Sequence, residues 1–125
     1  MDRAAGAVVL MPFPSRPEIA HWLHVATRFS PLDRAFWVGL LHDSVEDGYL
    51  PAGVARWWPA LDAITRRPGE PYRDGYLPRL ALNTTARRVK IEDIRHNLMR
   101  NGGPPGDLKR RYLDALEMLE WEGWR

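Results

Sequence analysis

The chain has 125 residues, a formal net charge of +2, 45% hydrophobic residues and no cysteine. This length and composition predict one globular domain with a single hydrophobic core. The small net charge does not indicate nucleic-acid binding, and the lack of cysteine excludes a disulfide framework and thiolate chemistry. No apolar run approaches the roughly 20 residues of a membrane span, and the N-terminus is a poor signal peptide, so we expect a cytoplasmic protein.

The first part of the chain combines an arm and a helix. Residues 1–16 contain two prolines and no helical period, and we interpret them as an extended arm. Pro17 suits the first turn of a helix that would run to about Phe29, before Ser30 and Pro31 break the chain and Ser30 caps the next helix. The expected apolar face of this helix consists of Ile19, Trp22, Leu23 and Ala26.

The central helix is predicted to end at Gly48, and its last part carries two polar pairs. His42 would lie over Glu46 and Asp43 over Asp47, because residues four apart share a face of a helix. Three carboxylates and an imidazole on a mostly buried helix would crowd like charges and lose solvation, which a bound cation would relieve. A solvated acidic helix end is the alternative interpretation of the same pattern.

The rest of the chain is also predicted to be helical. Helices are expected over residues 54–66, 72–82, 84–100 and 107–121, with prolines weakening the first two. Asn83 would cap the third of these helices, and the NGGPPG stretch at 101–106 would end it. No alternating strand pattern and no internal repeat occurs, so we predict an all-α fold of five or six helices.

The helix at 84–100 places three polar residues on one side. Lys90, Asp93 and Asn97 are spaced three and four apart and therefore align. Asp93 could complete a metal site begun by His42 and Asp43, while Lys90 and Asn97 could hold an anionic substrate. Spacing alone favours the alternative, an amphipathic helix whose polar face meets water.

Motifs in the chain resemble those of the HD-domain phosphohydrolases, above all the hydrolase domain of the stringent-response (ppGpp) enzymes and the small alarmone hydrolases. LLHDSVED at 40–47 is similar to the family's LLHDVVEDT, and VKIEDIRHN at 89–97 is similar to VKLADRLHN. LDAITRRPGEPY at 61–72 occupies the place of a DALTRREGEXY stretch. The segment 19–23 fits the family's I-x-H-P-L context, with tryptophan in place of proline. The resemblance covers about residues 17–120.

The resemblance implies a compact HD-domain helical bundle over residues 17–125 and a bound divalent metal ion. The implied metal ligands are His21, His42, Asp43 and Asp93. The family's metal is usually Mn²⁺, and two imidazoles with two carboxylates would also suit Fe²⁺ or Zn²⁺. We expect His96 to serve packing, and His24 matches no ligand.

The resemblance also implies roles for four further residues. Glu46 and Asp47 match the acidic pair that positions or deprotonates the attacking water. Asn97 matches the asparagine that contacts the nucleotide, and Lys90 matches the lysine of the same motif. Lys90 could instead be a partner of the metal-site carboxylates.

The chain departs from the family before the first histidine, where only residues 1–20 stand in place of a helix and a basic loop that help to hold the base. Gly48 also replaces the usual threonine. We therefore expect a metal-dependent phosphohydrolase acting on a nucleotide, most similar to a guanosine 3',5'-bis(diphosphate) 3'-pyrophosphohydrolase. The alternatives are hydrolysis of another nucleotide, such as a (d)NTP or a monophosphate, and an inactive nucleotide-binding module. Nucleic-acid binding through the basic runs at 87–88 and 109–111 is weaker, because such runs are usually solvated.

Overall fold

The structure is a computed structural model that describes residues 14–124. It contains the helices α1 (Arg16–Ala26), α2 (Arg34–Leu41), α3 (Ala52–Arg56), α4 (Pro59–Ile64), α5 (Leu77–Ala81), α6 (Thr84–Met99) and α7 (Gly106–Leu119). A π-helical turn (Tyr72–Tyr76) leads directly into α5, and 3-10 turns follow α6 (Arg100–Gly102) and α7 (Glu122–Trp124).

No strand occurs within residues 14–124, so the predicted all-α class is confirmed for this part of the chain, although five or six helices was too few. None of these helices combines the length and apolar character needed to cross a bilayer. The predicted arm lies outside the described residues as far as residue 13, and the division into an arm and a domain at residue 17 stays a prediction.

Helix α1 begins at a capping box. The Ser15 hydroxyl accepts a hydrogen bond from the Glu18 N–H, and the Glu18 carboxylate accepts one from the Ser15 N–H. Its buried face consists of His21, Trp22, Val25 and Ala26. The predicted apolar face was wrong for Ile19 and Leu23, which are 40% and 46% exposed. The helix is turned so that His21 faces the interior.

Helix α2 is shorter than predicted at both ends. Asp33, and not Ser30, caps its start by accepting a hydrogen bond from the Ala35 N–H at 2.9 Å. Ser30 instead accepts from the Leu32 N–H within the preceding turn. The helix ends at Leu41, and residues 42–48 continue as turns.

The early end of α2 has a local cause at Ser44. Its hydroxyl donates to the Leu41 carbonyl at 2.6 Å, and its own carbonyl accepts from the N–H groups of both Tyr49 and Leu50. Short polar side chains that bond to nearby backbone compete with the helical ladder in this way. The chain therefore turns away after Leu41, and the polar pairs leave the straight helix that the sequence predicts.

The segment between α2 and α6 is built from short helices. The predicted helix over 54–66 is divided into α3 and α4, because Pro59 starts a new helix. Arg79 of α5 connects α4 and the loop that follows it by hydrogen bonds. Its guanidinium donates to the carbonyls of Asp62 and Thr65 and to both carboxylate oxygens of Glu70. The ion pair holds the pKa of Glu70 down at about 2.

Helix α6 lies at the centre of the fold and contacts α1, α2, α4, α5 and α7. Asn83 caps its start as predicted, accepting a hydrogen bond from the Ala86 N–H at 2.9 Å. Val89 and Ile94 are fully buried in the core. Asp93 lies on the same helix and is also buried. The central helix thus carries a carboxylate into the interior.

Gly39 allows α1 and α2 to approach closely. A Cβ atom at this position would lie 3.1 Å from the Ala26 Cα and 3.3 Å from a Val25 methyl group. Most of this environment is backbone that cannot rotate away. Because α1 carries His21 and α2 leads into His42, this close approach sets the separation of the two imidazoles.

We expect Gly39→Ala to lower the free energy of unfolding relative to the matched change Gly53→Ala, which adds a Cβ atom in open space. Both changes remove a helical glycine, so their difference isolates the cost of overpacking, about 1–3 kcal/mol. Chemical denaturation of the two variants and the parent protein measures it. Equal stability of the two variants would show that α1 can move away without cost.

Candidate metal centre

Four side chains from three segments converge on one buried point. His21 comes from α1, His42 and Asp43 from the turn after α2, and Asp93 from α6. One ligand atom from each of them lies within 4.8 Å of all the others. His21, His42 and Asp93 are buried, whereas the Asp43 side chain is 32% exposed. This group could hold a metal ion.

The Asp93 carboxylate is at the centre of the group. Its Oδ1 atom lies 2.6 Å from the His21 Nε2 and 3.0 Å from the His42 Nε2, and it accepts a hydrogen bond from the Asn97 amide at 3.2 Å. The Lys90 ammonium donates to Oδ2 at 2.9 Å. Burial alone would raise the pKa of Asp93, but Lys90 and His42 hold it well below its usual range. The carboxylate is therefore ionised.

His42 is oriented by the backbone of its own helix. Its Nδ1 lies 2.6 Å from the Gly39 carbonyl oxygen, which can only accept, so Nδ1 carries a proton and donates it. Nε2 is thereby directed at the carboxylates of Asp93 and Asp43, 3.0 and 3.2 Å away. This is the arrangement in which protein imidazoles bind metals, with the second nitrogen fixed by a backbone carbonyl or carboxylate.

The two carboxylates of the group act on the pKa of His42. Burial would lower the pKa of His42, but the charges of Asp93 and Asp43 raise it to about 10. Protonated His42 and Lys90 then oppose the two carboxylates. A divalent cation would take the place of the proton on His42, because histidine binds metals in its neutral form. Two imidazole nitrogens and two carboxylates fit Mn²⁺, Fe²⁺ or Zn²⁺.

His96, which the sequence analysis assigned to packing, contacts a member of this group. Its Nδ1 lies 2.6 Å from the His21 Nδ1, and the two rings are nearly parallel. The ring of His24 stacks on His96 with 3.9 Å between centroids. Burial, followed by the nearby histidines, lowers the pKa of His96 to about 4. His96 is thus neutral near pH 7, and its Nδ1 can accept a hydrogen bond from the His21 Nδ1.

The two residues of the acidic pair occupy the turn after α2. The Glu46 carboxylate accepts a hydrogen bond from the Arg66 N–H at 3.2 Å and lines a cavity of about 710 Å³. Desolvation in this concave wall raises the pKa of Glu46. Desolvation together with the charges of Asp43 and Glu18 raises the pKa of Asp47. Neither residue supplies an atom to the four-residue group.

Lys90 and Asn97 lie beside this group, and both contact Asp93. The Lys90 side chain is only 12% exposed. These contacts fit the alternative role considered for Lys90, that of a partner of the metal-site carboxylate. Substrate binding by Lys90 and Asn97 stays a prediction. His96 also belongs to the motif at 89–97 and matches a family position there, but the motif does not indicate its contact with His21.

A scan of the chain against protein-family models gives no match, and a search of curated proteins gives no match either. The likeness to the HD-domain phosphohydrolases therefore rests on the motifs. The structure adds that the described part of the chain is all helical and contains a buried His/His/Asp/Asp group.

We expect His96→Phe to weaken metal binding by about 10- to 100-fold, the usual effect of removing the partner of a ligating histidine. His96→Asn should bind nearly as well as the parent, because its Oδ1 occupies a position similar to that of Nδ1 and also accepts a hydrogen bond. The dissociation constant of Mn²⁺, measured by competition with a chelator, tests both changes.

His24→Phe is the matched control, since it keeps an aromatic ring on His96 and leaves the contact with His21 intact. It should retain metal affinity. If His96→Phe binds Mn²⁺ as tightly as the parent protein, the hydrogen bond between His96 and His21 does not orient the ligand.

Proposed function

We propose that this protein is an HD-domain phosphohydrolase that uses a divalent metal ion, most simply Mn²⁺, to hydrolyse a nucleotide. The observation that carries the proposal is the convergence of His21, His42, Asp43 and Asp93 at one buried point. These are the residues that the motif resemblance assigns to the metal. His21 and Asp93 are 72 residues apart in the sequence, yet their side chains meet in the fold. A shared binding site explains this meeting more simply than chance does.

The four residues would hold the cation through imidazole nitrogens and carboxylate oxygens. When bound, the cation would supply the positive charge that polarises a phosphoryl group and lowers the pKa of a water molecule. Lys90 and Asn97 would keep Asp93 ionised and oriented from the outside of the group. Gly39 and His96 would orient the two imidazoles through hydrogen bonds at their Nδ1 atoms.

Glu46 and Asp47 would orient the attacking water and accept its proton. Both carboxylates follow Asp43 in the same turn, and the Asp47 N–H donates to the Asp43 carbonyl at 2.9 Å. They are therefore held beside the group without belonging to it. Burial raises the pKa of both carboxyl groups, and a raised pKa makes a carboxylate a stronger proton acceptor.

The substrate is proposed to be a nucleotide that carries a diphosphate, with release of pyrophosphate from the 3' position of ppGpp as the leading reaction. The support is the family likeness of the motifs at 40–47 and 89–97. Hydrolysis of another nucleotide follows from the same residues. The departure before His21, where the family's base-holding segment is not recognisable, bears on the base and leaves the phosphate chemistry unaffected.

Nucleotide binding without turnover is the second candidate. The ion pair of Lys90 with Asp93 favours it, because Lys90 compensates the buried charge of this carboxylate without a cation. Metal content tests the four-residue group itself before any substrate is known. Asp93→Ala should abolish Mn²⁺ binding if the group holds the metal, and unchanged metal content by elemental analysis would contradict the assignment.

The direct test of the function is a screen of nucleotides with added Mn²⁺ for release of phosphate and pyrophosphate. Pyrophosphate from ppGpp supports the alarmone hydrolase. Release only from other nucleotides supports the broader phosphohydrolase. Absence of release from every nucleotide, in a protein that binds Mn²⁺, supports the binding module.

We expect Glu46→Gln and Asp47→Asn to lower kcat by about 10²- to 10⁴-fold, the usual value of general-base assistance. Each change preserves shape and removes charge, and neither removes one of the four converging residues. Metal content should therefore stay close to that of the parent. Asp43→Asn is the comparison, because it should lose metal and activity together.

The double variant of Glu46 and Asp47 decides the role of the pair. Full kcat at saturating Mn²⁺ would mean that these carboxylates form only a solvated turn. That result would support the alternative interpretation of residues 42–47 as a solvated acidic helix end.

A further inference from the structure

A cavity opens beside Glu46, one residue of the proposed acidic pair. Its volume is about 710 Å³, within the range typical of small-molecule sites. The charged side chains that line it are Glu46, Arg56, Asp62, Arg66 and Arg67. Three guanidinium groups thus face two carboxylates in one concave surface, and this excess of positive charge suits an anion.

Arg66 is held in place while part of its guanidinium stays available. Its Nε donates to the Glu70 carbonyl at 2.9 Å, and its Cζ lies 5.6 Å from the centre of the Tyr72 ring. No residue in the described part of the chain accepts a hydrogen bond from its Nη atoms. A guanidinium fixed at Nε and open at Nη is prepared for a bidentate contact with a phosphate.

The other two arginines stand at the surface of the cavity. The Arg67 side chain forms an exposed ion pair with Asp62 at 3.3 Å, and such pairs stabilise a protein little. Arg56 is exposed and forms no ion pair within residues 14–124. Both can therefore turn towards an anion without loss of a strong interaction.

The loop that carries Arg66 and Arg67 is rigidly supported. Arg79 binds the carbonyls of Asp62 and Thr65 on one side of it and the Glu70 carboxylate on the other. The loop is also joined to the acidic pair, since the Arg66 N–H donates to Glu46. A group bound by these arginines would lie next to the residue proposed to act on the water.

We propose that this cavity is an oligophosphate subsite, in which Arg66, Arg67 and Arg56 bind the phosphate groups of the substrate beside Glu46. Its place in turnover rests on the proposed function, whereas its affinity for phosphate anions does not. The subsite supplies a phosphate anchor from the segment between α2 and α5.

The first experiment measures binding of inorganic pyrophosphate to the metal-free full chain by isothermal titration calorimetry. Arg56→Gln and Arg67→Gln remove one exposed charge each, and we expect each to weaken binding by about tenfold, as for loss of a charged hydrogen bond. Arg110→Gln is the matched control, because its side chain is 83% exposed and its place on α7 is outside the cavity. It should leave the dissociation constant unchanged.

Two results of the titration would overturn the subsite. One is absence of pyrophosphate binding by the parent protein. The other is an equal loss of affinity in the cavity variants and in Arg110→Gln, which would show a general effect of net charge. Retained circular dichroism and melting temperature in each variant separate these outcomes from unfolding.

The second experiment uses whichever nucleotide the screen identifies. In the double variant of Arg56 and Arg67, KM should rise by at least tenfold while Mn²⁺ affinity stays unchanged. If hydrolysis occurs with an unaltered KM, the subsite is wrong and the proposed function stands. If no nucleotide is hydrolysed but the arginines bind pyrophosphate as expected, the subsite stands and the proposed hydrolysis fails.

Discussion

The buried carboxylate of Asp93 is the constraint on which the rest of the structure depends. An ionised carboxylate in a protein interior is costly unless charges and hydrogen-bond donors surround it. Lys90, His21, His42 and Asn97 meet this need, each within 3.2 Å of a carboxylate oxygen. Because these partners come from α1, from the turn after α2 and from α6 itself, satisfying one carboxylate fixes three segments relative to one another.

The two imidazoles that contact Asp93 are themselves held in place by further groups. Each of them faces Asp93 with Nε2 and is fixed at Nδ1 by another group, the Gly39 carbonyl for His42 and His96 for His21. Gly39 has a second part in this arrangement, since the absence of its side chain lets α2 approach α1. The distance between the histidines is therefore set by helix packing, and their orientation by hydrogen bonds that precede any ligand.

Sequence patterns predict the local features of this fold better than the long-range ones. The helical class and the cap of α6 at Asn83 follow from periodicity and capping, which act over a few residues. Spacing suggested that Asp93 could join His42 and Asp43, but only the motif resemblance added His21 and completed the group of four. The end of α2 at Leu41 and the contact of His96 were missed. The first depends on the Ser44 hydroxyl competing for backbone, and the second on which face α1 turns inward.

The missed end of α2 is also what connects the two parts of the proposed site. In a continuous helix, Glu46 would stack below His42 along one axis. Because the chain turns at Ser44, the Glu46 carboxylate instead reaches the Arg66 N–H, 20 residues further along the chain. Glu46 is thereby placed between the buried group around Asp93 and the arginine-lined cavity. Departures from regular secondary structure are common at functional sites, because side chains there must be positioned for chemistry even where the local sequence favours a continuous helix. The position of Glu46 therefore depends on the hydrogen bond that the Ser44 hydroxyl donates to the Leu41 carbonyl.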